Sequence, residues 1–467
     1  KVSELMASKN KNLAELLDAN GDVLLDNLDN ISVTPAGVSD QSNTSTGAFA
    51  IPIGNTAQRP SSPENGWQRW NTDDNRVEVY KSSASAWVPL DATDVSLISV
   101  TGTLYTNLAT DLTLSGTGFL TANLDVNFTP SGGSTTTVTV TPTSDQAATV
   151  AVPSAIYSAV SAGTVVAISV TNEDNSTSTV TNKTMVESPT GGDTITIADG
   201  YRIHEFTQSG NFVIASNDSK TVEYLVIAGG GAGTGAYGAA GGAGGYRCSV
   251  SGEDSGGGAS AESALSLTAG TYSVQVGGGG TGYTGGTAGG EGTDSIFHTI
   301  TSTGGGRGGT SNGQGTQGGS GGGGSGNGAG GSSGTVAGGA GTSGQGYAGG
   351  LGRSSGTNPT GGGGGGAGGA GGNSPSLGNG GVGGIGVQSS ITGTPTYRAG
   401  GGGGGDNVNE SGTAQHGGGR GGYQSASGYI GASDGTDGTG GGGGGSYSSG
   451  YKSGDGGDGI VIVRYAL

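Results

Sequence analysis

The sequence predicts an all-β, multidomain fold drawn out as an elongated fibre, and three observations carry that expectation. Residues 91–188 and the apolar segments after residue 200 alternate apolar and polar side chains with the two-residue period of half-buried strands. Glycine is divided unevenly: of 111 glycines in 467 residues, 14 lie in residues 1–200 and 97 in residues 201–467. The chain is also longer than the roughly 250 residues one hydrophobic core usually serves.

Composition excludes several functions. With 17 Lys+Arg against 35 Asp+Glu, the net charge is −18, so the surface repels phosphates and a nucleic-acid partner is not expected. Cys248, the single cysteine, can form no intrachain disulfide, which leaves backbone bonding, packing or subunit assembly as sources of stability. No run approaches the roughly 18 apolar residues of a membrane helix, and no basic-then-apolar export signal opens the chain. A soluble protein made in the cytoplasm, without membrane insertion, is expected.

Residues 1–50 form the first expected segment. A weak amphipathic stretch, Leu5, Leu13, Leu16 and Leu17, stops at Asp18-Ala-Asn20-Gly21-Asp22, where Asn-Gly is a strong turn signal. The acidic cluster does not fit a calcium loop, whose glycine stands sixth where this one stands fourth. Apolar residues up to Ile31 are too sparse for a core, so this segment is expected to serve attachment or assembly. In residues 51–90, Trp67–Trp70 and Val77–Tyr80 flank the turn-rich Asn71-Thr-Asp-Asp-Asn75, which predicts a small β-hairpin module. The succession Ala57-Gln-Arg-Pro60, Gly66-Trp-Gln-Arg-Trp70, Glu78-Val-Tyr80 and Trp87-Val-Pro-Leu90 resembles a short module that recurs in bacteriophage tail fibres and other virion appendages.

Residues 91–188 carry Leu112-Thr-Leu114, Val126-Asn-Phe128, Thr137–Val140, Thr149–Val152 and Val166–Val170, spaced as the strands of a β-sandwich. The run Leu112–Phe119, with Val126–Phe128, Val150–Pro153 and Gly163–Asn172, resembles an immunoglobulin-like IPT/TIG domain, and the resemblance implies a spacer. Residues 189–467 begin with strand-like segments at Tyr201–Phe206, Asn211–Ala215 and Val222–Ala228. They continue at Thr271–Val276, Ser295–Ile300 and Gly459–Tyr465. Together these predict a sandwich frame into which the glycine-rich stretch is inserted.

Ordering 97 glycines costs on the order of 50–100 kcal/mol more than ordering alanines, which argues for a disordered linker. Small aliphatics among the glycines, as in Gly361–Gly372 and Val382–Gly386, argue against one. An extended helix of three residues per turn bonds to nothing internally. Without Cβ atoms, however, such helices can approach and bond to one another. A slab of polyglycine-type helices is therefore expected, with a flexible linker and a β-solenoid as the other readings. The blocks Tyr201–Thr207, Val222–Gly231, Gly244–Arg247, Gly304–Gly309, Tyr397–Gly405 and Gly459–Tyr465 resemble a glycine-rich domain common in tail-fibre proteins of cyanophages and marine phages.

Chemistry-bearing residues are few. His204 and His298 fall inside strand patterns and His416 stands apart; no Cys/His spacing suits zinc, and no metal or cofactor is expected. Gly318–Gly322 and Gly431–Gly435 match G-x-S-x-G without the strand–turn–helix setting that the chemistry needs. Neither an enzyme nor a nucleotide site is expected. What the glycine background displays is tyrosine, arginine, serine and asparagine, the composition of antibody paratopes. Tyr347, Arg353, Tyr397, Arg398, Tyr423, Tyr429, Tyr447 and Tyr451 are the candidate receptor-binding residues. Arg353–Thr360, Asp406–His416 and Tyr423–Asp437 are the candidate contact loops. The competing structural reading is that tyrosines staple the slab edges to the flanking sheet.

The resemblances imply a phage tail fibre or adhesin located in the virion: a homotrimer whose N-terminus joins tail or baseplate proteins. Its glycine-rich tip would then recognise a host surface glycan or outer-membrane protein. A structural spacer without receptor contact and a polysaccharide depolymerase are the rival functions.

Overall fold

The computed structural model describes residues 51–467, apart from 74–75, 83–84, 91–94, 120–122, 174, 236–237, 286–287, 312, 327–333, 355–358, 376–377, 408–410 and 449. The expected attachment segment, 1–50, lies outside the described residues. The described chain is almost entirely strand and extended backbone, with one short α-helix at Ser154–Tyr157. It divides into two compact units, up to Asp91 and from Ala92 onward.

In the first unit, β1 (Ile53–Gly54), β2 (Gln68–Asn71), β3 (Arg76–Lys81) and β4 (Ala86–Pro89) form one sheet in that order. β2 and β3 pair antiparallel across the turn after Asn71, with Trp70 opposite Val77. Glu78 is buried between Arg59 and Arg69. Burial pushes its carboxyl up, but hydrogen bonds from Arg59 and Asn71 outweigh it and hold the group below its ordinary value.

The second unit opens with a two-sheet sandwich. Its strands are β5 (Ser96–Thr101), β6 (Tyr105–Thr106), β7 (Asp111–Thr117), β8 (Leu124–Pro130), β9 (Thr136–Val140), β10 (Ala147–Ala151), β11 (Val165–Asn172), β12 (Thr181–Thr184) and β13 (Val186–Glu187). One sheet runs β10-β7-β5 and the other β12-β11-β8-β9. Every second residue of β7 and β8 is buried. Leu112, Leu114 and Val150 from one sheet thus meet Val126, Phe128 and Ile168 from the other in a single core.

Next come β14 (Thr194–Ala198), β15 (Tyr201–Phe206), β16 (Gly210–Ile227), β17 (Tyr246–Cys248), β18 (Leu265–Gln275), β19 (Ser295–Phe297) and β20 (Ile300–Ser302). Three two-stranded antiparallel pairs follow: β21 (Gly334–Val336) with β22 (Gly352–Ser354), β23 (Val387–Ser389) with β24 (Thr396–Arg398), and β25 (Tyr423–Ser425) with β26 (Gly428–Ile430). The chain closes on β27 (Ile460–Ala466), which inserts between β15 and β16 in the order β14-β15-β27-β16-β18-β19-β20. The segments expected as separate strands at Asn211–Ala215 and Val222–Ala228 are one strand, β16, whose first part pairs with β18 and whose last residues pair with β27 and β17. β14 was not expected. His298, expected within a strand, sits at the β19–β20 turn with φ 52°.

β27 is buried on both faces. Val461, Val463 and Tyr465 enter a core with Phe206, Phe212, Tyr224 and Phe297, while Ile460 and Ile462 face Leu225, Ile227, Tyr246 and the alanines Ala243, Ala367 and Ala399. That second core joins the sheet to the glycine-rich region.

The glycine-rich region is an ordered lattice. Along 228–234, the N–H groups of Ala228, Gly231 and Thr234 donate to the carbonyls of Gly245, Gly242 and Ala239. Those of Gly229 and Ala232 donate to Thr293 and Gly290, and those of Gly230 and Gly233 to Gly457 and Gly454. Each step of three residues returns to the same neighbour, the mark of an extended helix with three residues per turn. The carbonyls aim at three further neighbours: Gly229 and Ala232 accept from Gly305 and Gly308, Gly230 from Gly280, and Gly231 and Thr234 from Gly443 and Ser446. Segment 228–234 is thereby ringed by 238–245, 288–293, 452–459, 303–309, 277–282 and 439–446.

Two more segments are ringed in the same way. Around 238–245 stand 228–234, 303–309, 319–326, 360–367, 399–406 and 439–446. Around 360–367 stand 238–245, 319–326, 346–351, 368–373, 379–386 and 399–406. Neighbours run both antiparallel (231 with 242, 234 with 239) and parallel (443 with 231, 446 with 234). The expected slab is thus a hexagonally packed bundle several rows thick, because an extended helix directs its polar groups all round its axis and not along one plane. A flexible linker and a β-solenoid do not describe these residues.

At most lattice positions a side chain has no room, although Ala232 and Ala240 are admitted fully buried. A Cβ at Gly241 would lie 1.9 Å from the Gly231 carbonyl oxygen, and one at Gly442 would lie 2.1 Å from that of Gly241. At Gly431, on the periphery, a Cβ would meet nothing within 4 Å. Gly241→Ala is therefore expected to destabilise the protein by about 3 kcal/mol through overpacking, and Gly431→Ala to stay within about 1 kcal/mol of the parent. Denaturant unfolding of the two variants checks this contrast.

His204, on β15, is fully buried beside Phe212 and Tyr465, with its Nδ1 2.6 Å from the Gly191 carbonyl oxygen. Burial lowers its pKa to about 4; the Gly191 bond opposes the shift and Arg202 adds to it. The unfolded chain takes up this proton near pH 6.5 while the native state resists it. The histidine then subtracts stability as pH falls from 6.5 to 4, by roughly 3 kcal/mol in full. A His204→Gln variant is expected to lose that slope when melting is followed across the same range.

Candidate functional site

Connectivity gives the bundle two ends. Segment 228–234 continues straight from β16, 238–245 leads into β17, 277–282 leaves β18, 303–309 leaves β20 and 452–459 enters β27. One end is therefore anchored on the sheet. The other lies some seven residues of extended helix away, roughly 20 Å at about 3.1 Å per residue.

The far end collects turns from distant parts of the sequence: Tyr283–Gly285, the β22 turn closed by mutual backbone bonds between Arg353 and Thr360, the residues around Ser374, Asp406, the β25–β26 hairpin, and Ser446–Lys452. Ser446 and Gly405 both bond to segment 234–238, and Ser453 N–H donates to the Tyr283 carbonyl, which ties these turns to one face.

Tyrosines concentrate there. The Tyr429 ring stacks on Tyr451 at a centroid distance of 3.7 Å and 20° between planes, with Tyr447 at 6.1 Å. Tyr429 Oη and Ser446 Oγ are 2.6 Å apart, and burial raises the Tyr429 phenol above its ordinary value. Arg420 lies over the Tyr423 ring at 5.7 Å. Arg353, exposed, donates from Nε to the Ser374 carbonyl oxygen at 2.7 Å. Tyr451 and Tyr283 are about half exposed, at 47% and 53%. Beside Tyr451, Lys452 pairs with Asp455 at 2.8 Å, which raises its pKa.

Five of the eight candidate residues, Arg353, Tyr423, Tyr429, Tyr447 and Tyr451, thus share the far end. The other three do not join them. Tyr347 and Tyr397 lie at the sheet end and line one groove there. Arg398, the last residue of β24 and opposite Val387, is 8% exposed and presents little surface for a receptor. The loops are redrawn as well. Within Asp406–His416, Asp406 is buried at the far end, Gly412 and Thr413 bond into the lattice, and His416 reaches the sheet end. Tyr423–Asp437 combines the far-end hairpin with a lattice segment through Ser433 and Gly435.

Tyr283 belongs to the same tyrosine signal in the sequence but not to the eight candidates, and sequence reasoning passed over Lys452. The stapling role falls to other aromatics: Tyr246 is fully buried where sheet meets bundle, and Tyr201 lies under the Arg464 guanidinium at 4.2 Å.

The cysteine and the two motif serines are buried or hydrogen-bonded. Burial pushes the Cys248 thiol up to about 12. Ser320 is buried in the lattice, and Ser433 Oγ accepts from the Arg420 N–H at 2.7 Å. Among the described residues no group of three His, Cys, Asp or Glu stands where it could hold a metal ion, and no helix is long and apolar enough to cross a membrane.

A family model described as a glycine-rich domain matches residues 207–466. That span takes in the whole bundle and the strands that anchor it. The chain belongs to this glycine-rich domain family. No curated protein matches the sequence.

The half-exposed Tyr451 ring lies outside the lattice, so it is expected to be separable from the lattice's stability. Tyr451→Ala should shift the unfolding free energy by no more than about 1 kcal/mol, the scale of one aromatic pair. Denaturant titration beside Gly241→Ala tests this.

Proposed function

We propose that the chain is a phage tail-fibre or adhesin subunit of the virion, and that the far end of its glycine bundle contacts the host receptor. Residues 1–50 join tail or baseplate proteins, the sandwich of β5–β13 acts as an IPT/TIG-like spacer, and the chain assembles as a homotrimer. Its receptor is a surface glycan or an outer-membrane protein, met without enzymatic turnover. The observation that supports this reading is the far end itself: half-exposed tyrosines with arginine and serine neighbours, held on turns that a rigid backbone lattice gathers from across the sequence. Rigid aromatics give contact area at small entropic cost, and small polar residues adapt to the partner. Several copies per particle multiply weak contacts into firm attachment.

Purified full-length chain added to host cells is expected to block particle adsorption. A double variant, Arg353→Ala with Tyr451→Ala, should need about tenfold more protein for the same block, as when a contact centre is lost. Equal blocking by parent and variant would remove the far end from recognition; no blocking by either would leave a spacer. Oligosaccharide released from the host surface would point to a depolymerase.

A further inference from the structure

A groove of 570 Å³ lies at the opposite, sheet-anchored end of the bundle, within the size range of small-ligand sites. Its walls are the Gly252–Ser255 turn and the β23–β24 hairpin, and Gly258, Gly368 and Gly386 contribute bare backbone. Tyr397 is the aromatic wall. Its ring stacks on the His416 imidazole at 4.2 Å and 12°, and His416 is fixed in turn because its Nδ1 accepts the Gly386 N–H at 3.0 Å. Tyr397 nevertheless remains 47% exposed. With one face held by His416, its free surface is the other face and the ring edge.

Polar groups stand around this platform. Gln388, exposed, is the cross-strand partner of Tyr397. Asp254 is exposed at the rim, whereas Glu253 is anchored by the Ser390 N–H and Oγ at 2.7 and 2.6 Å. Tyr347 completes the lining. None of the lining residues is basic. The nearby Arg464 is paired with Glu223 at 2.7 Å and spends Nη1 on the Ser390 and Ile391 carbonyls.

We infer that this groove is a saccharide-binding site for neutral sugars, separate from the far-end turns. A hexose presents an apolar C–H face and a ring of hydroxyls, which a pre-positioned tyrosine face and flanking carboxylate, amide and backbone groups match. The carboxylates without a facing cation exclude acidic sugars, whose charge would stay unpaired and be repelled. Holding Tyr397 in place beforehand removes the ordering cost that a mobile aromatic incurs on binding. The inference goes beyond receptor contact at the far end and does not depend on it.

The test uses full-length protein titrated with three probes: N-acetylglucosamine trimer, maltotriose and trigalacturonate, followed by saturation-transfer NMR. At least one neutral trimer is expected to bind and trigalacturonate to bind more weakly. Tyr397→Ala should weaken the neutral trimer about tenfold, while Tyr397→Phe, which keeps the ring, stays within roughly twofold. Tyr451→Ala should bind as the parent does. The inference is overturned if neither neutral trimer binds, if trigalacturonate binds as tightly, if Tyr397→Ala retains parental affinity while Tyr397→Phe does too, or if Tyr451→Ala abolishes binding. Because adsorption blocking reads Arg353 and Tyr451 and this titration reads Tyr397, failure of one leaves the other standing.

Discussion

At most of its positions the interior of the bundle excludes the Cβ atom. Where a methyl at Gly241 would stand 1.9 Å from a neighbouring carbonyl oxygen, only glycine lets two extended backbones come within hydrogen-bonding distance. The chain accepts a severe entropic cost in return, about 0.5–1 kcal/mol per glycine relative to alanine. A backbone hydrogen bond contributes about 1 kcal/mol net, so a lattice in which nearly every residue donates to one neighbour and accepts from another meets that cost residue by residue. The balance fails if the lattice is interrupted, because a buried N–H without an acceptor carries its full desolvation penalty. Order in this region is therefore cooperative, and a hydrophobic core of the usual kind is not what holds it.

Where does such a lattice begin? Its segments are continuous with strands, and the sheet fixes their spacing before the first glycine is reached. β27 shows the coupling: its odd-numbered valines pack among Phe206, Phe212 and Phe297, while Ile460 and Ile462 meet the alanines that end the bundle. Burial on both faces explains why Ile460–Val463 is an uninterrupted apolar run and not an alternating one. It also explains why alanine is admitted at 243, 367 and 399, where the lattice gives way to side-chain packing.

Strands with clear alternation were legible in the sequence, as in Leu112–Leu114 and Val126–Phe128, because the alternate residues of each point away from the core. β16 reads as two strands in sequence since its middle, Asn217–Thr221, is polar; pairing with β18 stops at Ile214 and resumes at Ser219, so the same partner strand serves both parts. The far-end site was only partly legible for a different reason. Glycine ordinarily marks turns, but here it fills the straight segments, so the usual punctuation is inverted and Tyr, Ser, Asn, Thr and Pro mark the turns. Segments of about seven residues send successive turns to opposite ends. Tyr397 and Tyr423 look alike in sequence yet fall at opposite ends of the bundle, and no local pattern separates them. Arg398 resembles a surface arginine in sequence because nothing nearby signals that its side of the β23–β24 hairpin is buried.

A backbone-only interior has a consequence for how its ends can change. In a side-chain core, altering one loop shifts the packing beneath it, since neighbouring side chains interlock. Beneath the far-end turns lie mostly peptide groups of glycine, and the β25–β26 turn reaches the lattice through Tyr429, whose Oη meets Ser446 Oγ at 2.6 Å. Exchange of residues in one turn therefore leaves the register of the others intact. Rigidity and variability, which usually oppose each other in a recognition surface, are assigned to separate residues: glycines hold the frame, and the tyrosines and their polar neighbours are free to differ.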